Sequence, residues 1–248
     1  MDSFLHEPAI VRPVKNKHSA DIGPVSVLVA TQPDVKILRD LTSLTKEKSR
    51  TLFTGKLYIG PEETGCFSVA GPFVGAPYGA MLLETLIEWG ARRIIFWGWC
   101  GAISKSVQNG DIIIPTGAMI DEGTSKHYQT NQEGISHPSQ VMVEAIRTAL
   151  NNAATDVHEG LIWTTDAVFR ETSEKVLFYQ SKDVLAVEME LSALFTVAAF
   201  HQVDIGGILV VSDELSHLTW KPGFKSKRFK EGRMAAGEAV CSICKELS

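Results

Sequence analysis

No stretch of the 248 residues stays apolar for the ~18 positions that a membrane-spanning helix requires. Positive charge is in deficit: 24 Lys and Arg against 29 Asp and Glu leave a net charge of −5, so the basic face of a nucleic-acid binder is not expected. Cysteine is scarce. Of Cys66, Cys100, Cys241 and Cys244, only the last two form a CxxC, and neither a second CxxC nor a His pair at zinc spacing accompanies it, so no metal site is expected. A redox CxxC opens a helix after a strand; this one falls inside a C-terminal helical pattern and reads as two small packing residues. The 20 Gly and 10 Pro are ordinary counts, which excludes collagen-like and low-complexity chains. The N-terminus mixes charge and proline without the apolar core of a secretion signal, so a cytoplasmic protein is expected. Nothing matches G-x-G-x-x-G before a helix, G-x-x-x-x-G-K-[ST] or G-x-S-x-G, so dinucleotide, P-loop and hydrolase-serine sites find no support.

What the sequence does contain is 44% hydrophobic and 21% charged residues, enough apolar matter for a core and incompatible with disorder. Residues 1–24 show no periodicity and read as an N-terminal arm; residues 25–248 read as a single domain. Strand-length apolar runs occur at 25–30, 66–70, 93–98, 111–115, 158–164 and 205–212, several near-continuous, as suits strands covered on both faces. Helical spacing predicts helices over 77–89, stopped by Gly90, over 139–150, 190–201 and 225–245, and after Gln32-Pro33-Asp34. The alternation predicts a three-layer α/β/α fold with a central mixed sheet.

In such sheets ligands bind beyond the carboxyl ends of strands, which directs attention to the residues there. Glu188-Met189-Glu190 follows an apolar run and opens an apolar helix. The acids suit a helix N-terminus electrostatically. Equally, a carboxylate there accepts hydrogen bonds from vicinal hydroxyls while the Met packs on a sugar ring. Asp213, after GGILVVS, presents the same choice between a cap and a buried acid able to protonate a leaving group.

The stretches GAPYGAMLLETLIEWGARRIIFWGWCGAIS, NGDIIIP, AVEMELSALFTVAAF and ILVVSDELS, in that order, resemble the nucleoside phosphorylase family that includes uridine phosphorylase, hexameric purine nucleoside phosphorylase and methylthioadenosine nucleosidase. The resemblance implies cleavage of a ribosyl–base bond, with phosphate as co-substrate and no other cofactor. It also implies a homodimer or a homohexamer built as a trimer of dimers, with sites at the dimer interface and no nucleic-acid or membrane partner. By position, Met189 and Glu190 would hold the ribose and Glu188 would shape that loop. Asp213, with Ser212 beside it, would serve a purine N7. The segment 166–175, DAVFRETSEK, lacks the Gln and the placed Arg of uridine phosphorylases, which favours a purine; Phe169 or Val168 would stack on it, and Arg170 would pair with Glu171 or touch ligand. His127, in a Ser-x-His-aromatic stretch, and His6 and His18, in the arm, are further candidates.

The resemblance breaks at the phosphate. Where phosphorylases carry Gly and Arg after the first strand and Arg on the central strand, this chain has Thr31, Val35 and Phe96, followed by Trp99 and Cys100. Arg50 alone is retained, in the segment that reaches a neighbouring subunit. That departure keeps two alternatives open: a nucleosidase using water, with Asp34 as its base, and a non-catalytic nucleoside binder.

Overall fold

The computed structural model describes residues 7–17, 19–42, 44, 49–60, 67–128, 134–151, 153 and 155–247. Its parallel centre is made of the apolar runs. β1 (Val25–Val29) and β4 (Phe67–Gly71) are buried along their whole length. β5 (Arg93–Ala102) and β10 (Asp204–Glu214) are buried nearly so. β4, β1, β5 and β10 lie side by side in parallel, with Val27 opposite Val69 on one edge and Ile95 on the other. β6 (Ile112–Asp121) and β8 (Val157–Thr165) complete the six expected strands. Sequence reasoning missed the edge hairpin of β2 (Ser49–Leu52) and β3 (Gly55–Ile59), and the short β7 (Ile135–Ser136), β9 (Ala186–Glu188) and β11 (Lys221–Pro222).

The five expected helices are present as α1 (Gln32–Thr42), α2 (Ala76–Trp89), α3 (Gln140–Leu150), α5 (Leu191–His201) and α6 (Lys227–Leu247); α4 (Ser173–Gln180) was not expected. They form two layers. Leu82 and Leu86 of α2 join Leu191, Leu194 and Phe195 of α5 against one face of the sheet. Val35 and Leu38 of α1, Met142 and Ile146 of α3, and Phe229 and Val240 of α6 cover the other. Cys241 and Cys244 are buried, unbridged residues of α6, as packing residues should be.

The central sheet is mixed, and part of it closes on itself. β10 pairs with both β5 and β6, β6 with β8, β8 with β9, and β9 returns to β5. β5 changes partner along one edge as a result. It pairs with β1 from Arg93 to Trp97 and with β9 at Gly101 and Ala102, and Gly98–Cys100 between them have no strand on that edge among the described residues. Such a switch of neighbour is where an α/β sheet opens a crevice.

α3 lies on the far side of β10 from the strand ends that carry the candidate residues, and Ile146 is fully buried there. Ile146→Ala is expected to lower unfolding free energy by about 2–5 kcal/mol, read from urea denaturation.

Candidate active site

The crevice is lined by strand ends. Gly101 lies opposite Val187 of β9 on one edge and Asp213 of β10 on the other. A Cβ at Gly101 would stand 2.7 Å from Leu215 Cδ1, 3.3 Å from Asp213 Oδ2 and 3.5 Å from Val187 Cγ1, so glycine here lets Leu215, Asp213 and Val187 close in on one point between the two strand ends.

Glu188 and Glu190 are each only 5% exposed. Buried carboxylates need donors. Glu188 Oε2 accepts from the amides of Glu190 (2.7 Å) and Leu191 (2.8 Å), and Oε1 accepts from the Thr164 hydroxyl. Glu188 thus caps α5 and fixes the loop. Glu190 Oε1 accepts from the Gly75 amide at 2.5 Å. Gly75 precedes α2 with φ of 89°, a conformation open to glycine, and Pro77 in the first turn of α2 gives up no needed amide. Glu190 therefore lies between the N-termini of α2 and α5, where helix dipoles favour negative charge. Burial still pushes both carboxyls above the ordinary glutamate range, and in Glu188 the neighbouring charge of Glu190 adds to it. Met189, between them, is partly exposed.

Ser212 is buried and Asp213 partly so. The Ser212 hydroxyl lies 2.6 Å from Asp213 Oδ1 and 3.2 Å from Cys100 O, and Trp220, on the loop before β11, donates its indole N–H to Asp213 Oδ2 at 2.8 Å. Burial raises the Asp213 pKa; the bonds from Ser212 and Trp220 oppose it in part. Nearby, burial and then the charge of Asp213 push Glu171 up to about 7.

At the ends of β1 and β5 a second acid is arranged differently. Asp34 is 0% exposed and accepts from Thr31 Oγ1 (2.7 Å), Trp99 Nε1 (2.6 Å) and Arg233 Nε (2.6 Å). Arg233, from α6, lies 5.2 Å over Trp99 and 5.5 Å over Phe229. The role of water-activating base held open for Asp34 does not fit this arrangement: the carboxylate reaches no solvent and both its oxygens are engaged by protein donors. Val35 and Phe96 are fully buried core residues.

The remaining candidates are dispersed. Phe169 is 96% exposed on the 3-10 turn Val168–Arg170 and forms no wall of this crevice in the single chain. Arg170 is exposed and makes no ion pair with Glu171 among the described residues. Arg50 is exposed on β2, at the outer end of the sheet, and His127 is exposed on the 3-10 turn Ser125–His127. His6 and His18 lie outside the described residues. Arg233, Trp220 and Glu171 were missed, since no motif or spacing marks them.

The α/β sheet thus brings two buried glutamates, bonded at helix N-termini, and one partly buried aspartate to the strand ends on the two sides of Gly101. The chain belongs to the phosphorylase superfamily, whose family model matches residues 24–248. It is 30% identical over 217 residues to a guanosine phosphorylase of Halorubrum lacusprofundi, covering 85% of this chain and 80% of that protein. It is 32% identical over 187 residues to a DeoD-type purine nucleoside phosphorylase of Bacillus cereus, covering 72% and 74%. The fold is that of uridine phosphorylase from Vibrio fischeri (TM-score 0.78, 24% identity, 90% of this chain and 93% of that one). It is also that of purine nucleoside phosphorylase from Toxoplasma gondii, solved with immucillin-H (TM-score 0.78, 18% identity, 92% of each).

The Asp34–Arg233 pair yields a stability prediction. Arg233→Ala leaves a buried carboxylate without its cation and is expected to destabilise the fold by about 3–5 kcal/mol in urea denaturation. Adding Asp34→Asn to that variant should recover part of the loss; no recovery would mean that Arg233 acts through its aromatic contacts alone.

Proposed function

We propose that this chain cleaves the N-glycosidic bond of a purine nucleoside and transfers the pentosyl group to phosphate. The C1′–N9 bond breaks with its electron pair going to the base, the base takes a proton at N7 from Asp213, and a phosphate oxygen bonds C1′ to give the pentose 1-phosphate. The observation that carries this reading is the juxtaposition across Gly101 of the Glu188–Glu190 loop with Asp213. It gives one acid for the sugar and another for the leaving group, a bare strand's width apart. Guanosine and purine nucleoside phosphorylases among the relatives support the same chemistry.

Each residue then has a physical task. Glu190, held by Gly75, accepts from ribose hydroxyls, and that contact tightens as positive charge develops on the flattening ring. Met189, partly exposed beside it, packs on the sugar, while Glu188 keeps the loop rigid through donors from its own chain. Asp213 serves as the proton donor, its pKa raised by burial that disfavours the charged form. Arg50, exposed at the outer end of the sheet, serves the phosphate of a neighbouring copy in a homodimer or homohexamer. One observation favours water instead as acceptor: the two positions where phosphorylases carry arginine, Val35 and Phe96, are sealed in the core.

Base release from purine and pyrimidine nucleosides, measured with and without phosphate, tests the reading. Release from purine nucleosides only when phosphate is present is the expected result; release without it makes the chain a nucleosidase, and none at all makes it a binder. Glu190→Ala should lower kcat by orders of magnitude in a folded protein. Asp213→Asn should lower kcat by about 100- to 10,000-fold. A raised carboxyl pKa keeps the acid protonated at low pH, so wild-type activity should fall as pH rises through that pKa. The Asn variant should lack that alkaline limb; retention of it would assign the limb to another group.

A further inference from the structure

The two oxygens of Asp213 are held by different parts of the chain. Oδ1 lies 2.6 Å from the hydroxyl of Ser212, its neighbour on β10. Oδ2 is the oxygen turned toward the other strand end: a Cβ on Gly101 would stand 3.3 Å from it and 3.5 Å from Cγ1 of Val187, next to Glu188. It is Oδ2 that receives the Trp220 indole N–H, at 2.8 Å, from a ring 60% exposed. The oxygen on the side of the glutamate loop is therefore the one covered, and its cover is a surface side chain.

The loop that carries Trp220 is fixed at both roots. On one side Leu215 N–H donates to Ala102 O at 2.8 Å, and Gln180 donates to Ser216 O at 3.0 Å. On the other, β11 pairs Pro222 with Asp213 and Lys221 with Glu214, and Gly223 N–H donates to Ser212 O at 2.9 Å. Asn109, of the NGDIIIP stretch, joins the two roots. Its amide donates to Glu214 Oε1 (3.1 Å), its side chain donates to Val211 O (3.0 Å), and its Oδ1 accepts from the Ser226 hydroxyl. A Cβ on Gly223 would fall 2.0 Å from Asn109 Nδ2, so only glycine lets the chain lie on that joint. Between the roots, Leu218 has φ of 60°, a left-handed conformation unfavourable for a residue with a Cβ. The Trp220 ring meets Phe224 at 6.4 Å. With the roots held, the indole leaves Oδ2 by turning its own side chain, and no strand pairing is broken.

An indole N–H and a purine N7 make opposite demands on one oxygen. The N–H is a donor and favours the ionised carboxylate; N7 is an acceptor and needs that oxygen to carry a proton. We propose that Trp220 is a gate on the acid: it holds Asp213 Oδ2 until a base enters, then gives that oxygen up to N7. This rests on the nucleoside reading above and adds to it a positioning residue that acts through Asp213. The other titratable groups whose fields reach Asp213 are Glu214 beside it, Glu171 on the turn after β8 and Cys100 on β5; Lys221 and His217 act on Glu214. None of these five bonds to Asp213 among the described residues, so the indole is the contact whose removal isolates the gate.

The test uses Trp220→Phe, which keeps an aromatic ring and loses the donor. The pH dependence of kcat/KM reports the acid in the free protein and that of kcat the acid in the complex. Losing a donor that favours the ionised form raises the pKa of Asp213 before substrate binds. The alkaline limb of kcat/KM for inosine with phosphate should therefore move up by about one pH unit, while the limb of kcat stays where it is. Both limbs moving together would mean that the indole stays on the acid throughout, and neither moving that it does not act on it; either result overturns the gate and leaves the phosphorylase reading intact. A second measurement is independent of turnover. Of the five tryptophan indole N–H resonances, the one lost in Trp220→Phe should titrate with pH in the wild type and be flat in Asp213→Asn. Inosine without phosphate should abolish that titration. Abolition without any turnover would uphold the gate and sink the catalytic reading. An indole signal that never follows Asp213, or that inosine leaves unchanged in a protein that turns it over, would sink the gate alone. Inosine that neither binds nor reacts would sink both.

Discussion

Two carboxylates buried at the end of one short strand set the conditions that the surrounding structure must meet. Each desolvated carboxylate is worth several kcal/mol against folding unless donors surround it. The donors for Glu188 and Glu190 come from three directions: the Thr164 hydroxyl at the end of β8, the amides that open α5, and the Gly75 amide before α2. The acids can be buried only when β8, β9, α5 and α2 are all in register. The loop that supplies Gly75 is itself pinned at β1, where Phe73 N–H donates to Ala30 O at 3.2 Å. A Cβ on Gly71 would fall 2.2 Å from Val29 O, so glycine is what lets that loop lie against the strand. The sugar end of the crevice is thus assembled from strand pairing and helix packing, and its geometry is rigid for that reason.

The change of partner along β5 accounts for the rest of the arrangement. With the pairing to β1 ending at Trp97 and that to β9 beginning at Gly101, β5 runs past an edge without a strand among the described residues. On the α1–α6 side of the sheet the gap is sealed by Trp99, whose ring packs edge-on at 5.0 Å to Phe229 and whose indole N–H is taken by Asp34. On the other side, Leu215, Asp213 and Val187 converge on Gly101, where a Cβ would meet all three. Closure of the sheet through β10, β6, β8 and β9 fixes how far apart β9 and β10 stand, because both must pair with β5 at the same residue.

Much of this was legible in the sequence because burial leaves a direct mark there. Runs such as GGILVVS can only be strands covered on both faces, and an acid directly after such a run stands out; Asp213 and Glu190 were found that way. The hairpin of β2 and β3 left no such mark, because SRTL and GKLYI are short and partly exposed, so polar and apolar residues mix. Closure of the sheet depends on pairings such as Gly101 with Val187 that no local pattern encodes. Arg233 was hidden by its company: α6 also carries Lys227, Arg228, Lys230 and Lys245, and only the packing of that helix against α1 turns one cation of the five inward to Asp34. Asp34 itself was misjudged because its position in the chain suggested chemistry, while its role follows from partners far away in sequence.

The three acids nearest the crevice after the Glu188–Glu190 pair show how donor supply, rather than residue type or burial alone, separates structural from chemical roles. Asp34 is the most deeply buried and the best supplied, with a hydroxyl, an indole and a guanidinium from its own chain, so it is consumed by the fold. Asp213 is supplied by its neighbour Ser212 and by Trp220, a side chain 60% exposed on a hairpin loop. The indole bond favours the ionised acid and burial favours the neutral one, and only the first of these depends on an exposed surface ring. Glu171 has no hydrogen-bond or ion-pair partner among the described residues, and its half-buried carboxyl is left to solvent. From Asp34 through Asp213 to Glu171 the side-chain donors supplied by the described residues fall from three to two to none, and only Asp34, the best supplied, is sealed from solvent.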